Sequence, residues 1–176
     1  RQGRILALDA LVPVVSPSSD RRAISLAELT ESLSGQPTQF NAQISFELVG
    51  QLEGFEDRFM QPFGLRLMQP SDPPVMQRTI IENVEDGANG LTLLPYGATR
   101  NTQPLALTGS CGLQSKAQYL TMKTEDYPLT FPMFLYLPQR NQHPQIVDFL
   151  DWLRSPSAQL VIRRAGFVDL ADVPIP

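Results

Sequence analysis

Lysine is almost missing from this chain: only Lys116 and Lys123 occur in 176 residues, and the net charge is −4. No block of basic residues exists, which speaks against nucleic-acid binding and against a polybasic membrane contact. Histidine and cysteine occur once each, at His143 and Cys111. There is therefore no histidine pair, cysteine pair or metal-ligand spacing, and no intrachain disulfide. A lone thiol is most often a small buried filler, and Cys111 is read that way; a disulfide partner would have to lie outside this chain. His143, between Gln142 and Pro144, reads as an exposed loop residue at a helix start, and a dyad with Cys111 would need an accident of folding. Neither a Walker nor a dinucleotide glycine pattern is present. The acidic group Glu82, Glu85 and Asp86 reads as solvated. No apolar run reaches the length of a membrane span. These absences point away from an enzyme, and no cofactor or metal is expected.

Enough apolar residues are present, 42%, to fold one sizeable core or two small ones. Two long apolar stretches stand near the ends of the chain. Arg4 to Val15 is nearly continuous, which suits a strand covered on both faces. Pro13 costs this strand one ladder donor and implies an edge or a bend there. Met133 to Leu137 is the second long strand, entered from the polar turn after Lys123. The region between them reads as one compact α/β unit, so the chain crosses between two bodies and later returns.

Local signals fill in the rest. Ser16 to Asp20 is a loop. Ser25-Leu-Ala-Glu28 is a capping box opening a helix to about Leu33, closed by Ser34-Gly35. Ile44 to Val49 alternates as a half-buried strand. Gly50 to Gly54 is a strand-to-helix turn, and Phe55, Phe59 and Phe63 make the apolar stripe of the next helix. Leu65 to Met68 is a short strand. Asp72-Pro73-Pro74 starts a helix running to about Val84. Gly90 to Pro95 is a strand, Tyr96 to Arg100 a turn, Gln103 to Leu107 a short strand and Gly109 to Gln118 a loop. Pro144 to Leu153 is a helix with Ile146, Val147, Phe149, Leu150 and Leu153 on one face and Trp152 at its flank. Ser155-Pro156 starts the last helix, which ends at Arg163-Arg164 with Gly166 just beyond. The tail from Phe167 is extended. The chain opens with Arg1 rather than Met and enters its first strand at once, which reads as a fragment or processed product.

Four segments in order carry a family resemblance: Leu8 to Pro17 with Ser25 to Leu29 and Ser34-Gly35; Gly90 to Tyr96; Lys123 to Leu129 with Phe134 to Tyr136; and Phe149-Leu150, Ser155-Pro156, Gln159 and Ala165 to Val168. Together they resemble the type II periplasmic substrate-binding proteins of the phosphate-binding-protein-like branch. The third and fourth are most similar to the subgroup often joined to an outer-membrane-protein-A-like peptidoglycan-binding domain. The resemblance implies an α/β fold with mixed sheets flanked by helices and two lobes joined by crossing strands. It places residues 17–118 in the second, inserted lobe. Residues 1–16 and 119–176 fall to the hinge strands and the first lobe, which would lack its opening strands. Exposed apolar surface and self-association through that incomplete lobe are expected.

The same resemblance implies a substrate-binding component of a bacterial envelope or periplasmic uptake system, partnered by membrane transporter subunits and binding a small solute such as phosphate or another oxyanion. The ligand contacts it implies are Gly50, Gln51, Glu53, Gly54, Phe55 and Tyr96. In phosphate-binding relatives a Ser-Gly-Thr turn at a helix N-terminus meets the anion, where free N–H groups and the positive dipole end attract it. The matching residues here are Glu53-Gly54-Phe55. Gly54 still lets the backbone approach a ligand, but both hydroxyls are gone and Glu53, Glu56 and Asp57 gather carboxylates. Like charges about 4 Å apart at an effective dielectric of ~20 repel by roughly 4 kcal/mol. The alternative is an interaction module of the envelope that keeps the fold without solute binding. A third reading, the effector domain of a transcription regulator, lacks a helix-turn-helix segment here.

Overall fold

The strand β1 (Gln2–Val15) organises the molecule. The structure is a computed structural model that describes residues 2–35, 37–44, 77–87, 89–99, 101–137 and 143–171. The expected strands over 44–49 and 65–68, the turn over 50–54, the Phe55-Phe59-Phe63 helix and the helix start at Asp72 lie outside these residues, apart from Ile44, which is buried. From Ala10 to Val15 every residue of β1 is buried, as the unbroken apolar run implied.

Two sets of partners divide β1. Its first part, to Ala10, runs antiparallel to β8 (Thr130–Leu137). From Leu11 onward it runs antiparallel to β4 (Gly90–Pro95) on one side and to the two residues of β5 (Gln103–Pro104) on the other. The short strand β3 (Asn41–Ala42) adds in parallel to β4, giving the order β3-β4-β1-β5 with β8 on the first part of β1. A separate three-stranded sheet has the order β2 (Ala23–Ser25), β6 (Ala106–Thr108), β7 (Gln114–Ser115).

The prolines are placed where their missing donors cost least. The Pro13 carbonyl accepts the N–H of Leu105 at 2.9 Å, so its own nitrogen faces the β5 side, one residue beyond the paired segment of β5. Leu8 exchanges both backbone hydrogen bonds with Val168, at 2.8 and 2.9 Å. Its register partner Pro132 in β8 is therefore a non-hydrogen-bonded pair, and the proline nitrogen points away from β1. This is why β8 starts at Thr130 and not at Met133, as the sequence suggested.

Three other expectations are corrected. The strand read over Gln103 to Leu107 is two strands in different sheets. Leu105 donates to Pro13 and Ala106 donates to the Arg22 carbonyl at 2.9 Å, so the chain changes partners between neighbouring residues. The loop read over Gly109 to Gln118 contains β7, folded back on β6 through a turn in which Gly109 donates to the Leu113 carbonyl and Gly112 takes φ +79°. Only a residue tolerant of positive φ fits there. Cys111 sits at the tip of this turn and is exposed, not a buried filler, because a tight turn has no interior.

Helices follow their caps. The helix α1 (Leu26–Leu33) begins at Ser25, whose Oγ accepts the Glu28 N–H at 3.0 Å. Only half of the expected box forms, because the Glu28 carboxylate goes to Arg21 and Gln39 instead. Ser25→Ala should cost about 1 kcal/mol of stability, read as a lowered midpoint in urea unfolding with an unchanged slope. The helix α2 (Gln77–Asp86) buries Ile80 and Val84 against β4 and runs two residues past Val84. A short helix α3 (Tyr119–Lys123), not foreseen, is capped at its N-terminus by Gln118, whose N–H donates to Thr121 Oγ1 at 3.1 Å, and buries Met122. The helices α4 (Pro144–Leu153) and α5 (Pro156–Arg164) match their expected bounds, with His143 and Ser155 as N-caps.

The main core joins Ala10, Leu11, Val15, Ile24, Leu29, Leu33, Leu91, Leu93, Leu107, Met122, Tyr127 and Leu129. The buried Tyr127 hydroxyl donates to the Leu11 carbonyl at 2.9 Å, and burial pushes its pKa upward. Around β8, α4 and α5 the packing is less complete. Phe134, Tyr136, Phe149, Trp152 and Val161 are exposed, and of the apolar face of α4 only Leu150 is buried.

Candidate functional site

Of the six ligand contacts implied by the sequence, Gly50, Gln51, Glu53, Gly54 and Phe55 lie outside the described residues. Tyr96 is described. It follows β4 directly and starts a single 3-10 turn, Tyr96–Ala98. Its ring is half-buried and packs against both apolar clusters of the core, so part of it serves as packing. Its backbone N–H donates to Asp9 Oδ1 at 3.2 Å.

Asp9 is the buried polar residue at this junction. It lies just before β1 exchanges β8 for β4 and β5. Its Oδ1 also accepts the N–H of Ala10 at 2.8 Å. Burial raises its pKa above the usual carboxylate value, and the two N–H donors pull in the other direction. A carboxylate in an apolar strand needs such partners. Here it fastens the turn after β4 to the crossing strand. These hydrogen bonds hold backbone at the place where β1 changes partners. Among the described residues, the donors at Asp9 are backbone amides.

A second polar centre was missed from the sequence. Asp169 has a fully buried side chain. It accepts from Arg163 Nε at 2.5 Å, from the Tyr119 hydroxyl at 3.0 Å and from the Ala171 N–H at 3.0 Å. Lys123 Nζ lies 3.7 Å from Oδ1, the oxygen that Tyr119 and Ala171 also meet, and donates to the Ala171 carbonyl. Both cations flank the Tyr119 ring, at 5.0 and 4.9 Å from its centroid. Burial alone would raise the Asp169 pKa, but the donors hold it below the usual value. The available signal was a carboxylate inside Phe167-Val-Asp-Leu, an apolar stretch that demands a partner. The cluster ties α3, α5 and the segment after α5 together, with two cations sharing one buried carboxylate.

Two grooves open on the described surface. One, of about 580 Å³, is lined by Ile5, Leu135, Leu150 and Leu153 with Arg4 and Arg154 at its rim. The other, about 670 Å³, lies beside the β6–β7 turn and includes Leu113, Ser115 and Lys116. Neither contains Asp9 or Tyr96. His143 caps α4 and is exposed; its Nδ1 accepts the Gln145 N–H at 3.4 Å. Among the described residues no group of three His, Cys, Asp or Glu side chains could hold a metal ion, and no helix is long and apolar enough to cross a membrane.

No family model matches the chain, and no curated protein matches it in sequence. Solved structures do match in fold. An ABC-type phosphate transport receptor from Vibrio cholerae superimposes with a TM-score of 0.71 at 16% identity, over 95% of this chain and 72% of that one. A Clostridium perfringens protein, assigned as a phosphate ABC transporter substrate-binding protein and solved with bound phosphate, gives 0.71 at 11% identity, over 97% and 72%. PstS from Borrelia burgdorferi gives 0.67 at 14% identity, over 97% and 73%. At such identities the shared property is the fold.

Proposed function

We propose that this chain, which has the fold of the type II phosphate-binding proteins, belongs to a solute-capture protein rather than an enzyme. The observation that carries the reading is the match of almost the whole chain to the Vibrio and Clostridium structures. The solute is a small oxyanion, phosphate first, taken between two lobes whose closure is read by transporter subunits in the bacterial envelope. Residues 17–118 form the second lobe, and 1–16 with 119–176 form the hinge and part of the first. The sharing of β1 between two sets of strands supports this division, because a strand common to both bodies couples them across a cleft. Gly50, Gln51, Glu53, Gly54 and Phe55 are the proposed contacts in the second lobe, with Tyr96 beside them.

A second reading is favoured by the carboxylates Glu53, Glu56 and Asp57 at the proposed anion turn. It keeps the fold as an envelope interaction module, in contact with other envelope proteins or a fused peptidoglycan-binding domain. Gly54→Trp separates the two. Under solute capture, the bulky ring should abolish phosphate binding measured by equilibrium dialysis. If the wild type retains no phosphate at millimolar concentration, solute capture of phosphate fails and the second reading takes its place.

A further inference from the structure

The backbones of two glycines meet at the junction between the two strand sets. Gly97 is the middle residue of the 3-10 turn after β4. Gly166 follows α5 and takes φ +96°. A Cβ built on Gly97 would lie 2.9 Å from both the Cα and the carbonyl oxygen of Gly166. One built on Gly166 would lie 2.8 Å from the Cα of Gly97. Carbon atoms in contact prefer separations of about 3.5–4.0 Å, so neither position has room for a methyl group. The neighbours on both sides are backbone, which cannot swing away as a side chain can.

The surrounding bonds attach each glycine to a different part of β1. On the Gly166 side, Val168 exchanges two backbone hydrogen bonds with Leu8, within the part of β1 paired to β8. On the Gly97 side, the turn continues from β4, which pairs β1 from Leu11 onward. Asp9 lies between them in β1 and reaches across to the Tyr96 N–H. A rotation of one strand set against the other about β1 would move one glycine over the other, and at the glycine pair itself the nearest atoms on both sides are backbone.

We propose that Gly97 and Gly166 form the fulcrum of interlobe motion and that the Asp9 carboxylate, through Tyr96, is the tether that keeps the two turns seated on it. This rests on the two-lobed reading of the chain but not on the identity of the solute. The pair acts by setting the angle between lobes, and so the population of the closed form, without touching the ligand.

The test is a distance distribution measured by double electron–electron resonance, without any solute. Spin labels go on the native, exposed Cys111, on the β6–β7 turn, and on Ser157→Cys, exposed in α5. Gly97→Ala suits the test because Gly97 does not occupy the positive-φ region, so the methyl acts by space alone. The expected result is a main peak displaced outside its width in the unsubstituted pair of labels. An unchanged distribution in folded Gly97→Ala overturns the proposal. If that variant does not fold, Asp9→Ala decides: loss of the tether should broaden the distribution, and one no broader than before overturns the proposal. Because no solute is present, failure of phosphate binding leaves this outcome intact, and the two ideas fail separately.

Discussion

Replacing Asp169 by alanine should destabilise the protein by about 3 kcal/mol, lowering Tm by about 6–12 °C. The magnitude follows from what is left behind. Asp169 is completely covered, whereas Arg163 is half exposed, with its side chain at 53%. Without the carboxylate, Arg163 turns to water at little cost. Lys123 cannot do so as easily, since its side chain is only 12% exposed and is wedged against Tyr119 and Ala171. An uncompensated, largely buried ammonium is the costly product, and the Ala171 N–H loses its acceptor as well. The effect should also depend on pH. The carboxyl is held below its ordinary value of 3.8, so it binds its proton less readily folded than unfolded. Its contribution is therefore fully present above that unfolded value and disappears as the pH falls through the depressed folded one. Thermal melts of both proteins from pH 7 down to about pH 2 check this, with a gap that is constant above the unfolded value and narrows below it. A gap that does not narrow there would mean that the loss comes from packing and not from the charge.

Leu11→Ala should cost about 3–4 kcal/mol, within the range for fully buried leucines. Leu11 has no exposed surface and sits where β1 changes partners, facing Pro95 in β4 and donating to the Leu129 carbonyl at 3.0 Å. Its own carbonyl takes the Tyr127 hydroxyl. The backbone at this point is held from several sides, so neighbours cannot collapse into the space left by an isobutyl group. A cavity is then retained, which puts the cost above simple transfer. Urea unfolding should show a lower midpoint with an unchanged slope; a loss under 1 kcal/mol would mean that neighbouring side chains close the space after all.

Much of this architecture was readable in the sequence, for identifiable reasons. The strand β1 and the helices α1, α4 and α5 announce themselves through a long apolar run, serine or histidine caps and prolines in the first turn, all local signals. What was not readable depends on partners distant in the chain. β7 has two residues, too few for any periodicity, and exists because β6 offers it hydrogen bonds, while the break between β5 and β6 inside the strand read over Gln103 to Leu107 depends on which neighbour each residue finds. Pro132 hid the start of β8, because the sequence does not tell which side of a strand lacks a neighbour. Helix α3 has five residues and is held by Met122 in the core rather than by propensity. The exposed face of α4 could not be foreseen from its pattern, since a hydrophobic stripe states that a face can be buried and not that a partner covers it.

For the site, the sequence pointed to Tyr96 and could not join it to Asp9, because the hydrogen-bonded pair is 87 positions apart in the chain. The Gly97–Gly166 contact was equally hidden; Gly166 reads as an ordinary helix end. The Asp169 cluster draws on α3, which was itself unforeseen. By contrast, the overall fold came from four ordered segments, and the solved phosphate receptors share it.

Calorimetric titration of phosphate into the full-length protein, with sulfate as the competing oxyanion, tests the central claim most directly. Solute capture predicts a saturable, phosphate-selective heat, with the altered Glu53-Gly54-Phe55 turn tolerated. The absence of heat from either anion at millimolar concentration would contradict it and leave a binding-protein fold employed for contact with other molecules of the envelope.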